Sequence, residues 1–384
     1  MDNKKYDVVV VGCGFAGATA ARVLAERGKN VLILEKRPHI AGNCYDETDQ
    51  HGILIHTYGP HIFHTNKKEV YEFLSRFTDW YDYEHEVVGN IHGKYLPIPF
   101  NLNTLHEVYG QEKADRLESM LLCDYGEGSS VPILKLRQSD KAEIRELAEY
   151  VYENVFLHYT MKQWGQKPEE VDQSVTARVP VVLSRDNRYF HDTWQGMPSD
   201  GYTNLVKNML CHDKITVCLN TSAKERLTLC PGKSPLLDGS PYDGAVIYTG
   251  AVDELFDCCY GRLPYRSLDF VFEHYEKEHY QPKGVVNYTV SEDYTRITEF
   301  KYLTGQKTEG TTIMKEYSKA YQGLEGEIPY YAIMNEENGK LYNRYKEKAE
   351  ACGNLILLGR LAEYKYYNID AIVERAMETG GNLK

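Results

Sequence analysis

What this sequence lacks already narrows its class. No apolar run approaches the roughly 20 residues that a membrane-spanning helix needs. Met1-Asp2-Asn3-Lys4-Lys5 passes directly into Val8-Val9-Val10-Val11, with no apolar stretch and small-residue cleavage site ahead of it, so a cytoplasmic chain without membrane insertion is expected. CxxC and HxxxH spacings are missing, and a metal site has no support. The nine cysteines are odd in number and scattered, with Cys258 next to Cys259, which is no disulfide framework. Positive charge is short: 44 Lys and Arg face 56 Asp and Glu, a formal net charge of −12 that repels nucleic acid and anionic membrane surfaces. Cations for an anionic ligand must therefore be local. Internal repeats and long linkers are also wanting.

What is present is ordinary globular composition, 42% hydrophobic and 26% charged, in 384 residues, enough for two or three compact units. The 32 tyrosines lean toward polar, ring-containing ligands, although packing accounts for most of them. Tyr6–Val11 is a β-branched run, followed by Gly12-Cys13-Gly14-Phe15-Ala16-Gly17 and an alanine-rich helix to Arg27, stopped by Gly28. Val31–Leu34 is a second strand ending at Glu35. From about Asn101 to Tyr159 the periodicity is helical, with Asp115–Cys123 and Lys141–His158 as helices. From Tyr265 to Glu316 short alternating runs predict an antiparallel sheet. Asn354–Leu358 reads as a last buried strand, Asp370 as the N-cap of a closing helix to about Glu378, and Leu227–Pro241 as a surface loop.

In the glycine turn, Gly12 allows the sharp bend, Gly14 lets the backbone approach a diphosphate and Gly17 lets helix pack on strand, while the helix N-terminus offers free N–H groups. Glu35, at the end of the second strand, is placed to accept hydrogen bonds from an adenosine ribose. Beyond it, Lys36 to Asn43 is a basic, glycine-containing loop that could form a second contact with a cofactor. The chain's end returns through Gly359-Arg360 to the helix at Asp370, a habit of FAD proteins in this fold group. No second glycine fingerprint exists for NAD(P), so FAD is the preferred cofactor.

Several segments resemble the bacterial UDP-galactopyranose mutases, and the likeness runs over essentially the whole chain. They are Tyr58-Gly59-Pro60-His61-Ile62-Phe63-His64-Thr65, Tyr159-Thr160-Met161-Lys162-Gln163-Trp164-Gly165, Arg178-Val179-Pro180, Asp186-Asn187-Arg188-Tyr189-Phe190, Tyr265-Arg266-Ser267-Leu268, Tyr294-Thr295-Arg296-Ile297, Pro329-Tyr330-Tyr331 and Gly359-Arg360-Leu361-Ala362-Glu363-Tyr364-Lys365-Tyr366-Tyr367. The resemblance implies an FAD isomerase, commonly a homodimer. It would interconvert the six- and five-membered ring forms of UDP-galactose through attack of reduced flavin N5 on the anomeric carbon, feeding galactofuranose-containing cell-surface glycans. Another nucleotide sugar, UDP-N-acetylgalactosamine or a deoxy sugar, is the alternative, and an amine-oxidase-type flavin oxidoreductase a further one.

By resemblance the catalytic set is Arg178, Arg296, Tyr331, Tyr366 and His64. The two arginines hold the diphosphate, and the tyrosine hydroxyls reach it. Substrate binding falls to Tyr159, stacking on uracil, with Thr160, Trp164, Tyr189, Phe190, Arg266 and Asn368. Cofactor binding falls to Gly12, Gly14, Phe15, Gly17 and Glu35, to Lys36, Gly42 and Asn43, to His61 and Ile62, and to Gly359, Arg360 and Asp370. Two positions depart from the family pattern: Ala41 stands where a glycine is usual, a change expected to keep the close approach, and Asn368 stands where an aspartate is usual. The fold expected is α/β, a Rossmann-like FAD-binding domain with an inserted helical domain and an antiparallel β-sheet domain. Residues 1–100 begin the FAD-binding domain, 101–185 form the helical insertion with a mobile substrate loop near 166–180, and 186–260 carry FAD-binding and sheet segments. The sheet domain spans 261–345, and 346–384 return to the FAD-binding domain.

Overall fold

The computed structural model describes residues 6–166 and 180–383. In chain order, the cofactor unit opens with β1 (Val8–Val11), α1 (Phe15–Glu26), β2 (Val31–Leu34) and β3 (Phe63–Thr65). Next come β4 (Val87–Ile91), β5 (Lys94–Ile98), and the helices α2 (Leu102–Val108), α3 (Gln111–Tyr125), α4 (Ala142–Val151) and α5 (His158–Trp164). Then follow β6 (Trp194–Pro198), α6 (Gly201–Leu210), β7 (Ile215–Cys218), β8 (Ala245–Tyr248), β9 (Tyr265–Tyr275) and β10 (Val285–Tyr288). The chain closes with β11 (Arg296–Glu299), β12 (Thr311–Ala320), β13 (Tyr331–Ala332), β14 (Leu355–Leu357) and α7 (Ile369–Asn382).

Continuous apolar runs such as Val8–Val11 and Val31–Leu34 suit strands covered on both faces, and they sit at the centre of a five-stranded parallel sheet ordered β7-β2-β1-β8-β14. Alanines at 18, 20 and 21 let α1 lie close on that sheet. The final helix packs on α1 in turn: a side chain at Gly380 would come within 3.0 Å of Val23. Here the glycine is a packing residue, and α7 runs past Glu378 to Asn382 for that contact.

The second layer is a seven-stranded sheet ordered β13-β9-β12-β11-β10-β4-β5. It corrects the expected antiparallel sheet in two ways. β10 pairs with β4 in parallel, and β4 and β5 come from residues 87–98, which the sequence assigns to the cofactor unit. A hairpin with only partly apolar alternation does not announce its partner two hundred residues away; register with Val285–Tyr288 decides it. Between these strands in sequence, the helices pack around their own core of Leu105, Leu117, Leu121, Leu147 and Phe156. α4 continues through a wider π-helical stretch, Tyr152–Leu157, into α5, so the helix expected to stop near His158 extends to Trp164. The segment Leu227–Pro241 is a small three-stranded antiparallel sheet and not a loop, its turn residues punctuating hairpins. The N-cap of α7 is Asn368, correcting Asp370, which lies in the first helical turn.

Candidate active site

A cavity of about 960 Å³ lies above the C-terminal ends of β1, β2 and β8. Gly12 lines it with φ +100°, a conformation open to glycine and not to L side chains, and a side chain there would strike Thr249. Gly17 sits against the Gly12 carbonyl. Gly14 caps α1 with no side chain and no acid follows in the first turn, leaving the helix's positive end facing the cavity. Gly42, from the loop after β2, meets Gly14 so closely that a Cβ would stand 2.9 Å from its Cα. These glycines form a cradle that any methyl group would fill, which fits the diphosphate of a dinucleotide.

Glu35 is buried and already oriented: its Oε2 accepts from the Cys13 N–H at 2.7 Å and its Oε1 from the Arg37 N–H at 2.9 Å. A carboxylate has about four acceptor positions, so capacity remains for ribose hydroxyls. Arg37 holds Asn43 through Nη2 to Oδ1 at 2.9 Å and lies over the Tyr58 ring. Lys36 lines the same cavity, 3.9 Å from Glu254, and Phe15 braces it edge-to-face with Tyr202. Thr249, Gly250 and Ala251 complete the wall; the apolar strand Ala245–Tyr248 running into Thr249-Gly250 is the sequence signal that would have found them. Ile62 packs against the apolar core and does not line the cavity. Asp370 is also absent from the lining: its Oδ2 accepts from Thr65 at 3.0 Å and its Oδ1 meets the Ala371 N–H.

Ala41 has φ +68°, in the left-handed region, so it is strained where close approach alone was expected to matter. Ala41→Gly should raise apoprotein stability by about 1 kcal/mol, measured by denaturant unfolding. An unchanged or lower midpoint would contradict that strain.

At the far end of the cavity Gly359 has φ +107°, and its N–H donates to Glu363 at 2.9 Å. Arg360 follows, donating to the Tyr367 carbonyl, with its guanidinium 4.7 Å from the Tyr366 ring centre and 6.0 Å from that of Tyr331. Tyr331 and Tyr366 stack at 6.3 Å, and Trp164 leans on Tyr331 at 5.8 Å. Asn368 lines the cavity, and although it is the N-cap of α7 its side chain makes no capping bond. His61 also lines the cavity. Its Nδ1 meets the Gly59 carbonyl at 2.9 Å and must be the donor there. Burial, with His56 and Arg360 nearby, lowers its pKa to about 3, so the ring is neutral and Nε2 is an acceptor.

The tyrosine pair joins this cavity to the second sheet. There Arg296 donates from Nη2 to the Tyr159 hydroxyl at 2.7 Å and lies 3.4 Å from Glu316, which is 2% exposed. Burial opposes the arginine's charge, but Glu316 and the surrounding phenols keep its pKa raised. Burial likewise pushes Tyr159 up to about 12 and Tyr331 higher still, so both hydroxyls remain donors. Cross-strand register places Asn287 and Glu316 on either side of Arg296, and the buried Asn287 Oδ1 has no hydrogen-bond partner among the described residues. Glu316 and Asn287 were missed by sequence reasoning, because only register reveals a buried polar row across a sheet.

Tyr189 and Phe190 cluster with His64 and His85 outside the cavity lining: His64 stacks on Phe190 at 3.6 Å and Tyr189 meets Phe190 edge-on at 5.0 Å. Thr160 is buried on α5 beside Tyr159. Arg266 does not line the cavity: Nε donates to the Gln163 carbonyl at 2.9 Å and Nη2 to the Lys162 carbonyl at 3.1 Å, fastening the end of α5 to β9. Arg178 and nearly all of the expected loop near 166–180 lie outside the described residues. Among the described residues no acid, cysteine and histidine group could hold a metal ion, and no helix is long and apolar enough to cross a membrane.

Residues 154–366 match the family model described as UDP-galactopyranose mutase, and residues 10–77 match an NAD(P)-binding Rossmann-like domain. The dTDP-fucopyranose mutase of Escherichia coli is 36% identical over 375 residues, covering 97% of this chain and 96% of that protein. The UDP-galactopyranose mutase of Mycoplasma genitalium is 35% identical over 375 residues, covering 96% and 92%. Among solved structures, a reduced UDP-galactopyranose mutase superposes with a TM-score of 0.70 at 14% identity, covering 98% of this chain and 93% of that one, a likeness of fold.

Proposed function

This chain belongs to the UDP-galactopyranose mutase family, and from that premise we propose that it interconverts UDP-galactopyranose and UDP-galactofuranose, with FAD as its cofactor. The observation that carries the reading is the run of contacts from Arg360, which lines the cavity, through Tyr366 and Tyr331 to the Arg296–Tyr159 pair. A neutral-amine oxidase would have no use for such a concentration of anion-binding donors. Action in the cytoplasm as a homodimer, in the supply of galactofuranose for cell-surface glycans, enters with the family likeness.

Reduced flavin, when bound, supplies an electron-rich nitrogen able to bond to an anomeric carbon. The protein's task is then to receive and return a nucleoside diphosphate. Arg296 presents a planar fork of donors already oriented by Glu316 and Tyr159, so little reorganisation accompanies the growth of negative charge on the leaving phosphate. Tyr331 and Tyr366 add hydroxyl donors, and Arg360 adds positive charge toward the flavin side. His61, neutral and fixed by Gly59, offers an acceptor beside the cofactor without competing with these cations. By resemblance, Arg178 supplies the second arginine.

A deoxy sugar carried on dTDP is the second reading, favoured by the Escherichia coli relative and by Asn368, a neutral amide at the cavity edge where a carboxylate is usual. Dithionite-reduced and oxidised protein, each incubated with UDP-galactofuranose, a furanose form of UDP-N-acetylgalactosamine and dTDP-fucofuranose, separate these readings when ring size is followed by chromatography. Conversion of UDP-galactofuranose only by reduced protein is expected. Equal rates with oxidised protein would remove the flavin from the chemistry, and exclusive conversion of dTDP-fucofuranose would establish the second reading.

A further inference from the structure

The side chain of Asp192 lies outside the anion-binding cluster, yet it is tied to His64. We infer that Asp192 is a positioning residue that fixes His64 as the Nδ1–H tautomer, leaving Nε2 to hold a proton in transit while the sugar exchanges its ring oxygen. This rests on the mutase reading above.

The His64 ring is constrained from every side. Nδ1 lies 2.8 Å from Asp192 Oδ2, and since an ionised carboxylate only accepts, the proton between them belongs to Nδ1. Asp192 Oδ1 is itself held by Asn66 Nδ2 at 2.7 Å, and Asn66 Oδ1 accepts from the Thr193 N–H and hydroxyl at 2.9 and 3.0 Å. The cross-strand partner of His64 is Gln195, whose Nε2 donates to the carbonyls of Phe190 and Asp192, so one strand pair fixes both the imidazole and the turn carrying its carboxylate. Phe190 covers one face of the ring at 3.6 Å, and His85 stacks behind Phe190 at 5.7 Å, within the electrostatic reach of Arg296. Among the described residues Nε2 has no hydrogen-bond partner.

Exchange of a six-membered for a five-membered ring breaks the bond from the anomeric carbon to one ring oxygen and forms it to another. One proton must leave the hydroxyl that closes and one must reach the oxygen that opens. The count balances with a single group that gives one proton and takes one back, and His64, whose Nε2 has no partner among the described residues, has that capacity.

Nitrogen-15 spectra of labelled histidine in the FAD-loaded protein should show His64 protonated at Nδ1. In Asp192→Ala that single tautomer should be lost. Its kcat should fall about 10- to 100-fold with KM nearly unchanged and flavin content intact, and Asp192→Asn, which keeps an acceptor, should restore the tautomer and part of kcat. A wild-type His64 protonated at Nε2, an Asp192→Ala enzyme of wild-type kcat, or a loss explained by lower flavin content would each overturn the inference. If the wild type converts no sugar at all, the functional reading falls while the spectra still decide the tautomer.

Discussion

Arg296→Ala lowers kcat/KM for the nucleotide sugar by about 10³-fold, with flavin content and its absorbance spectrum unchanged. Two effects add. The guanidinium proposed to meet the leaving diphosphate is gone, and Glu316, 2% exposed, is left as a buried carboxylate without its cation. Arg296→Lys separates them: it keeps a cation for Glu316 but loses the planar fork and the reach to the Tyr159 hydroxyl, so an intermediate loss follows. Steady-state kinetics, UDP binding and flavin absorbance check this together. An alanine variant within about threefold of wild type would remove Arg296 from the diphosphate site.

Gly14→Ala weakens FAD binding by about 100-fold while the apoprotein's unfolding midpoint stays within experimental error. The backbone of Gly14 has φ −78°, which alanine adopts freely, and a Cβ there finds only Gly42 Cα at 3.7 Å, an ordinary contact. The fold has room for the methyl group, and the approach of a diphosphate to the α1 N-terminus does not. Gly42→Ala is the contrasting control: at φ +59° and 2.9 Å from Gly14 Cα it destabilises the apoprotein as well. Titration of apoprotein with FAD by fluorescence, beside thermal unfolding, distinguishes the two. Unaltered FAD affinity in Gly14→Ala would mean that the dinucleotide does not enter along this turn.

The opening strand-turn-helix-strand unit was legible because its signals are local. Four valines, three glycines at fixed spacing, alanines and an acid at the second strand's end lie within thirty residues and serve one another in the structure. The anion-binding residues were legible only through short motifs, since nothing in the periodicity of β11 singles out Arg296. What stayed hidden depended on register and distant pairing. The parallel partnership of β4 with β10, the burial of Glu316 opposite Arg296 and the carboxylate behind His64 each join residues whose local sequence is unremarkable. Arg266 and Asp370 lie within informative motifs, yet no local pattern announces their protein partners, the end of α5 for Arg266 and Thr65 with the start of α7 for Asp370.

The threading of both sheets has a consequence for biosynthesis. β8 of the parallel sheet takes its outer neighbour from Leu355–Leu357, and the helix that packs on α1 ends at Asn382, while the β4–β5 hairpin gains its second neighbour only from Val285–Tyr288. A nascent polypeptide can therefore pair β1 with β2 and β4 with β5 early, but neither sheet gains its full set of neighbours until the later strands have been made. Truncation after Glu350 should abolish FAD binding, because the strand Leu355–Leu357 and the cavity-lining Gly359 and Arg360 that follow it are removed together.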